Sequence, residues 1–528
     1  MPFAQLLFPV STGTVSSVVG KNLPAGMDSS GNAITLDLTQ KIVNNGLEAV
    51  DVAAGSFPNA MKQTTTISGA AKDVALSQSI AISGTDTRWY APNVGLIRES
   101  IALTVDTSST SSDAQLRGYI VDGVQHGISP TFTALGGLSP LNPGVAPPEV
   151  QPALATDGSE ILVLGGTVTG TESNFAMGWS AARVRTDGAV LGTTTLAAAV
   201  PYGGGGSGPA PVTAAAYDGT HFLVIYYLNS GTIGDPPSFV AQLVSTDGDL
   251  VGSPHTIAAG SILSPCLAYD GTRYLLAFQR GDPISGGMSI NGVFISPSTG
   301  QATGAEFTIS SGPGQQLNPR VASDGSNFLV LWDQGQFETQ PSGIVAARVN
   351  DDGSMPDAGG FMFHPAELPF APLHNPALIF DGSNYVVLWR DERLQQSQTQ
   401  NNLFIGRVSP AGALLDSATD GVPVTTAPNF IETRPTLALF NGKVLAIWQS
   451  DGGGTPQYDI RRAQIDTSGP TINVLTPGTS GVELLPAGYQ QSLAMVSMGS
   501  GVLLAWFNEV APAKANSVDA VGVFPFGP

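Results

Sequence analysis

Ala322-Ser323-Asp324-Gly325-Ser326-Asn327-Phe328-Leu329-Val330-Leu331-Trp332 holds a small-residue strand end, an Asp-Gly pair and an unbroken apolar run. The Asp-Gly pair supplies the positive φ angles of a tight hairpin. Apolar residues without alternation belong to a strand buried on both faces. The unit recurs. Asp157-Gly158 precedes Ile161-Leu162-Val163-Leu164, and Asp218-Gly219 precedes Phe222-Leu223-Val224-Ile225. Asp270-Gly271 precedes Tyr274-Leu275-Leu276, and Asp381-Gly382 precedes Tyr385-Val386-Val387-Leu388-Trp389. Asn441-Gly442 leads to Trp448 and Gly499-Ser500-Gly501 to Trp506 in the same way. The period is about 57 residues, near that of propeller blades.

Each repeat reads as four strands. A third strand such as Val345-Ala346-Ala347-Arg348-Val349 alternates, and a weaker fourth follows, for example Phe307-Thr308-Ile309. Four antiparallel strands stacked at this period make a β-propeller, whereas tandem sandwiches need about 100 residues each. The last repeat has room for only three strands before Pro528, and Thr131-Phe132-Thr133-Ala134-Leu135 lies unused ahead of the first repeat. The expectation is therefore all-β: a seven-bladed β-propeller over 123–528, its last blade closed by a strand near 131–135, preceded by a small β domain over 1–122. Pairing the two ends removes the exposed edges of an open array.

Residues 1–122 lack the repeat. Ala33–Leu38 and Ile101–Val105 read as strands, and the Ser/Thr-rich Thr107–Asp113 as a loop or linker. The stretches Glu48–Phe57, Trp89–Arg98 and Leu116–Ile120 resemble a β domain of bacterial lipoproteins and other exported proteins. The propeller half resembles repeats of secreted bacterial proteins. In the first of these families a longer N-terminal part precedes the domain, which implies a chain beginning inside it. The resemblance specifies no catalytic residues.

Composition narrows the function classes. Of 528 residues 42% are hydrophobic and 12% charged, with 21 Lys and Arg against 41 Asp and Glu for a net charge of −20. Such a chain has no electrostatic source for nucleic-acid binding, and its apolar runs fall short of a membrane span. One cysteine excludes a disulfide framework and a cysteine zinc cage. The charge-poor, Ser/Thr/Gly-rich balance suits a protein secreted from, or displayed on, a bacterial cell. Met1-Pro2-Phe3-Ala4-Gln5 lacks the basic start of a signal peptide.

No motif names a chemistry. The Asp-Gly pairs invite a calcium reading, but turn chemistry accounts for them. Ser323-Asp324-Gly325 lacks the residue that a sialidase Asp box places between Asp and Gly, so that family's catalytic residues are not carried over. The five histidines form no metal-binding spacing, although His364 and His374 flank a Pro-rich loop. Cys266 reads as filler of a small slot in a first strand, Gly203–Gly206 as a blade connection. No cofactor and no metal site are expected.

Segments after the second strands diverge while the strands repeat, and in a propeller they converge on one face. Arg280, Asp282, Asp333, Phe337, Arg390, Asp391, Glu392 and Glu509 are the candidate ligand-binding residues there. Solvated loops with weak ion pairs are the plain alternative. The expectation is a non-enzymatic binding or scaffold protein that presents this face to a glycan, cation or protein partner. The alternative is a glycosidase-like hydrolase in which two of these carboxylates sit about 5–5.5 or 6.5–9.5 Å apart.

Overall fold

The fold is taken from a computed structural model. It describes residues 12–27, 33–52, 55–73, 78–92, 94–106, 108–115, 118–121, 124–127, 133–134, 152–171, 174–185, 190–201, 213–228, 237–281, 287–311, 315–335, 343–365, 375–391, 401–416, 421–426, 432–440, 442–450, 458–475, 482–488, 490–498, 501–508 and 517–524. The chain forms two compact units, Met1–Pro130 with Phe526–Pro528, and Thr131–Pro525.

The first unit is an antiparallel meander of β1 (Gly13–Met27), β2 (Ala33–Val52), β3 (Gly55–Asp73), β4 (Gln78–Ala91), β5 (Gly95–Val105) and β6 (Ser108–Gln115). Its core sits at one end, where Val50, Val52, Phe57, Ala60, Trp89, Ala91 and Ile97 cluster. Lys62 and Arg98 stand 5.2 and 5.1 Å from the Trp89 ring, a cation–π arrangement. The stretch expected as a loop or linker at Thr107–Asp113 is strand from Ser108 onward, paired from Val105↔Ser108 to Arg98↔Gln115. A solvated edge strand accepts the same Ser and Thr residues as a loop, and Asp106 at φ 56° turns the hairpin.

The second unit holds seven four-stranded antiparallel sheets. In chain order they cover residues 153–201, 214–259, 262–310, 316–365, 377–423, 432–474 and 490–524, the sixth taking an extra strand, Val482–Gly488. Ser517–Phe524 of the seventh sheet pairs with Thr133–Ala134, through Asp519↔Ala134 and Ala520↔Thr133. First strands of successive sheets touch in order, and that of the seventh touches that of the first. This is a β-propeller arrangement.

The second strands explain why the sheets stack. Phe328, Leu329, Val330, Leu331 and Trp332 are all 0% exposed. Alternate residues pack in opposite directions: Phe328, Val330 and Trp332 meet Leu275 and Ala277 of the third sheet. Leu329 and Leu331 meet Tyr385, Val387 and Trp389 of the fifth. Val386 and Leu388 then meet Val444, Ala446 and Trp448 of the sixth.

The hairpins are Asx turns. Oδ1 of Asp157, Asp218, Asp270, Asp324 and Asp381 accepts the backbone N–H groups two and three residues on, at 2.7–2.9 Å. The following glycines take φ between 90° and 98°. The turn reading of these pairs accounts for one carboxylate oxygen each. Among the described residues no group of three or more His, Cys, Asp or Glu could hold a metal.

Candidate functional site

Opposite the Asx turns, the first strands begin with a feature the sequence did not announce. Ser264, Asn318, Asn375 and Arg434 each precede a proline and take positive φ, from 45° to 51°. In the third, fourth and sixth sheets a bulge falls there, between Leu263/Cys266, Leu317/Arg320 and Thr433/Thr436. Bulges re-aim backbone groups and gather beside functional sites. At Asn318 and Asn375 the positive-φ residue turns its N–H toward the preceding sheet. Asn318 N–H donates to Gln279 Oε1 at 2.9 Å, and Asn375 N–H to Asp333 Oδ2 at 3.1 Å. Asn318 Nδ2 adds bonds to Asp333 Oδ2 at 3.3 Å and Asn375 Oδ1 at 3.1 Å.

This end of the sheets collects the candidate carboxylates. Asp333 and Asp391 lie at the ends of the second strands Phe328–Gln334 and Tyr385–Asp391, not in loops, and each is 1% exposed. Continuation of the strand pattern by one or two polar residues is the physical reason: the ladder persists to Asp333↔Ile344 and Asp391↔Asn402. Glu432, which the sequence reading did not single out, opens the first strand of the sixth sheet opposite Ser450 and is 0% exposed. Its N–H donates to Asn401 Oδ1 at 2.6 Å.

Asp391 has distinctive company. Its Oδ2 lies 3.1 Å from His364 Nε2 and accepts Trp389 Nε1–H at 3.0 Å. His364 belongs to the fourth sheet and is 1% exposed, its ring centroid 5.2 Å from that of Trp389. A carboxylate oriented by an indole and paired with an imidazole is the local chemistry of general acid–base work. His374, the expected companion of His364, lies outside the described residues.

The other candidates divide. Arg280 ends a second strand, forks onto both carboxylate oxygens of Glu306 and donates Nη1 to Ala259 O at 3.1 Å. It is therefore held between its own sheet, through Glu306, and the preceding one, through Ala259. Arg390, beside Asp391 on the second strand of the fifth sheet, is half-buried. Asp282, Phe337, Glu392 and Glu509 lie outside the described residues. Cys266 is on a first strand as expected, and its Sγ donates to Ala277 O at 3.4 Å. Burial pushes the thiol up to about 12, although the residue as a whole is only half-buried.

No family model matches the sequence, and no curated protein matches it. Solved structures similar to it include a Penicillium chrysogenum alpha-L-arabinanase complexed with arabinobiose, at 13% identity and TM-score 0.39, covering 74% of this chain and 98% of that one. The β-propeller domain of the Trilobed protease from Pyrococcus furiosus gives 10%, 0.37, 70% and 93% in the same order. The Pyrococcus horikoshii acylaminoacyl peptidase gives 10%, 0.37 and 70%, and this chain spans only 50% of its length. Arabinanases, an arabinofuranosidase and a further enzyme complexed with xylotriose recur among the similar structures. The expectation of a non-enzymatic binding or scaffold protein is corrected on that finding, and the hydrolase alternative is retained.

Proposed function

We propose that the protein is a propeller hydrolase of the glycosidase kind, acting at the mouth where the second strands end. The observation that carries this reading is the grouping of Asp333, Asp391 and Glu432 at one end of three successive sheets, each at most 1% exposed. A buried carboxylate is costly unless its surroundings hold it, so three of them at one end of adjacent sheets mark a site rather than filler. In this reading Asp391, paired with His364, and Glu432 serve as general acid and nucleophile or base, while Asp333 holds the strand entries at Asn318 and Asn375. Arg390, beside Asp391 on the same strand, belongs to the substrate rim in this reading.

Closure of the seven sheets into a seven-bladed ring is part of the proposal. The pairing of Ser517–Phe524 with Thr133–Ala134 and the contact between the seventh and first sheets support it. Export from the cell, in which a surface glycan is the natural substrate class, rests on the charge-poor composition.

The test is release of chromophore or reducing sugar from a panel of nitrophenyl glycosides and plant and bacterial polysaccharides. Asp391→Asn and Glu432→Gln are expected to lower kcat by about 10²-fold or more while the melting temperature holds. A wild-type protein that turns over nothing on the panel, or two carboxamide variants as active as wild type, defeats the reading.

A further inference from the structure

Because the sheets repeat, each joint between neighbours is a comparison for the others. Gln279, Asp333 and Arg390 are equivalent, each the sixth residue of a seven-residue second strand. Gln279 and Asp333 accept the N–H of a positive-φ residue at the entry of the next sheet. The corresponding residue after Arg390 is Arg434, with the same conformation at φ 49°. A guanidinium carries donors only, so Arg390 cannot receive that N–H. The joint between the fifth and sixth sheets is built differently.

A second exchange accompanies the first. The residue that opens a first strand, opposite the last residue of the second, is Ile262 in the third sheet, Gln316 in the fourth and Gln490 in the seventh. In the sixth it is Glu432, opposite Ser450 and 0% exposed. The joint that replaces an acceptor by a cation thus also replaces a neutral residue by an anion.

Side-chain direction brings the two together. Val386 and Leu388 pack against the sixth sheet, and Arg390 continues that row two residues on. Val444, Ala446 and Trp448 pack against the fifth, and Ser450 continues that row in turn. Directly opposed residues of antiparallel strands share a face, so Glu432 faces the fifth sheet with Ser450. Its N–H, bonded to Asn401 Oδ1 at 2.6 Å, ties the strand entry to that sheet.

The other charges nearby have their own places. Arg461 lies opposite Trp448 on the same face, but also opposite Glu483 of the extra strand. Asp459 stands opposite Ser450, and Arg434 is two residues along the strand of Glu432. From the fifth sheet, Ala377–Phe380 and Val422–Pro423 bring no charge, and Arg407 is held by Asp416. Asp391 turns the other way, to His364 of the fourth sheet.

We propose that Arg390 is a positioning residue, its guanidinium reaching across the joint to the Glu432 carboxylate and holding it ionised. The role rests on the hydrolase reading. Within it, Glu432 is the nucleophile or base, and proton donation falls to Asp391 with His364.

Stability tests the pair without any turnover. Arg390→Met leaves a buried carboxylate without its cation and is expected to lower the urea midpoint. Adding Glu432→Gln to that variant is expected to restore most of the loss. Should Arg390→Met alone fail to fold, a folded double variant is itself the rescue. The pH profile tests the role. Losing the cation favours the protonated carboxyl, so the acid limb of kcat/KM is expected to move up by about one pH unit or more in Arg390→Gln. Arg390→Lys keeps the charge and is expected to stay within about half a unit of wild type. A double variant no more stable than Arg390→Met overturns the pair. A raised KM with an unmoved acid limb overturns the positioning role and makes Arg390 a substrate contact alone. A wild type that turns over no glycoside defeats the hydrolase reading and the role with it, while the midpoints still decide the pair.

Discussion

Asp333 Oδ2 accepts the backbone N–H of Asn375 at 3.1 Å, joining the second strand of the fourth sheet to the entry of the first strand of the fifth. Gln279 does the same for Asn318 one sheet earlier, at 2.9 Å. The recurrence identifies a structural clasp: a positive-φ residue before a proline exposes an N–H, and the neighbouring sheet supplies its acceptor. Asp333→Ala leaves that N–H without the side-chain acceptor and is expected to cost about 1–3 kcal/mol, read from the urea midpoint. Asp333→Asn keeps an oxygen there and is expected to retain most of the stability. Equal midpoints for wild type and Asp333→Ala defeat the clasp.

On the opposite side of the sheets the clasp is made by tyrosine. Tyr274 and Tyr385 open their second strands and approach Asp218 and Asp324 of the preceding sheets. Burial, reinforced by those carboxylates, pushes both phenols well above their ordinary value. In the fourth sheet that position is Phe328, and Oδ2 of Asp270 in the third sheet is buried without a hydrogen-bond partner. Phe328→Tyr is expected to supply the missing donor and stabilise by about 0.5–1.5 kcal/mol, with Tyr385→Phe destabilising by a similar amount. Urea melts decide. A Phe328→Tyr variant no more stable than wild type sinks the idea, overpacking being the physical reason it could fail.

The repeats were legible in the sequence because their physics is local. Asp-Gly pairs make Asx turns within four residues, and the run Phe328–Trp332 declares burial on both faces. The proline-linked bulges were not legible. Positive φ at Asn318 or Asn375 runs against the usual habit of a residue before proline, and there the N–H is bonded to a side chain of the neighbouring sheet. The site suffered for the same reason. Asp333 and Asp391 stood out as charges after an apolar run, yet whether a strand continues through them depends on partners such as Ile344 and Asn402. Glu432 gave no local signal, and His364 stood out only as flanking a Pro-rich loop with His374, since the partners of both come from sheets far away in sequence. The Ser/Thr composition of Ser108–Gln115 misled because an edge strand and a loop are solvated alike.

Cys266 offers a check on the inner strands. Its thiol is packed inside against Ala277 O, and burial moves its pKa up to about 12. The thiolate is the reactive form, so a neutral-pH thiol reagent is expected to label the native protein at least 10²-fold more slowly than the urea-unfolded chain. Fast labelling of native protein contradicts this packing.

The acid limb of stability has a named contributor in Asp357. Arg348, on the third strand of the fourth sheet, donates Nε to its Oδ2 at 2.7 Å, Nη2 to its Oδ1 at 2.8 Å and its backbone N–H to Oδ2 at 3.2 Å. The guanidinium bonds outweigh the opposing effect of burial and hold the carboxyl below its ordinary range. A carboxyl depressed in the folded state binds fewer protons there than in the unfolded chain, so stability rises with pH across that interval. The contribution is complete above the unfolded value of about 4 and is lost as pH falls through the lower folded value. Asp357→Asn removes this dependence. The variant is expected to be less stable than wild type at pH 7, by less than about 1 kcal/mol given the partial exposure of the pair, and the gap is expected to shrink as pH drops from 4 to 2. Urea midpoints at pH 7, 5, 4, 3 and 2 measure it. A gap that stays constant, or widens in acid, removes Asp357 from the account of acid unfolding.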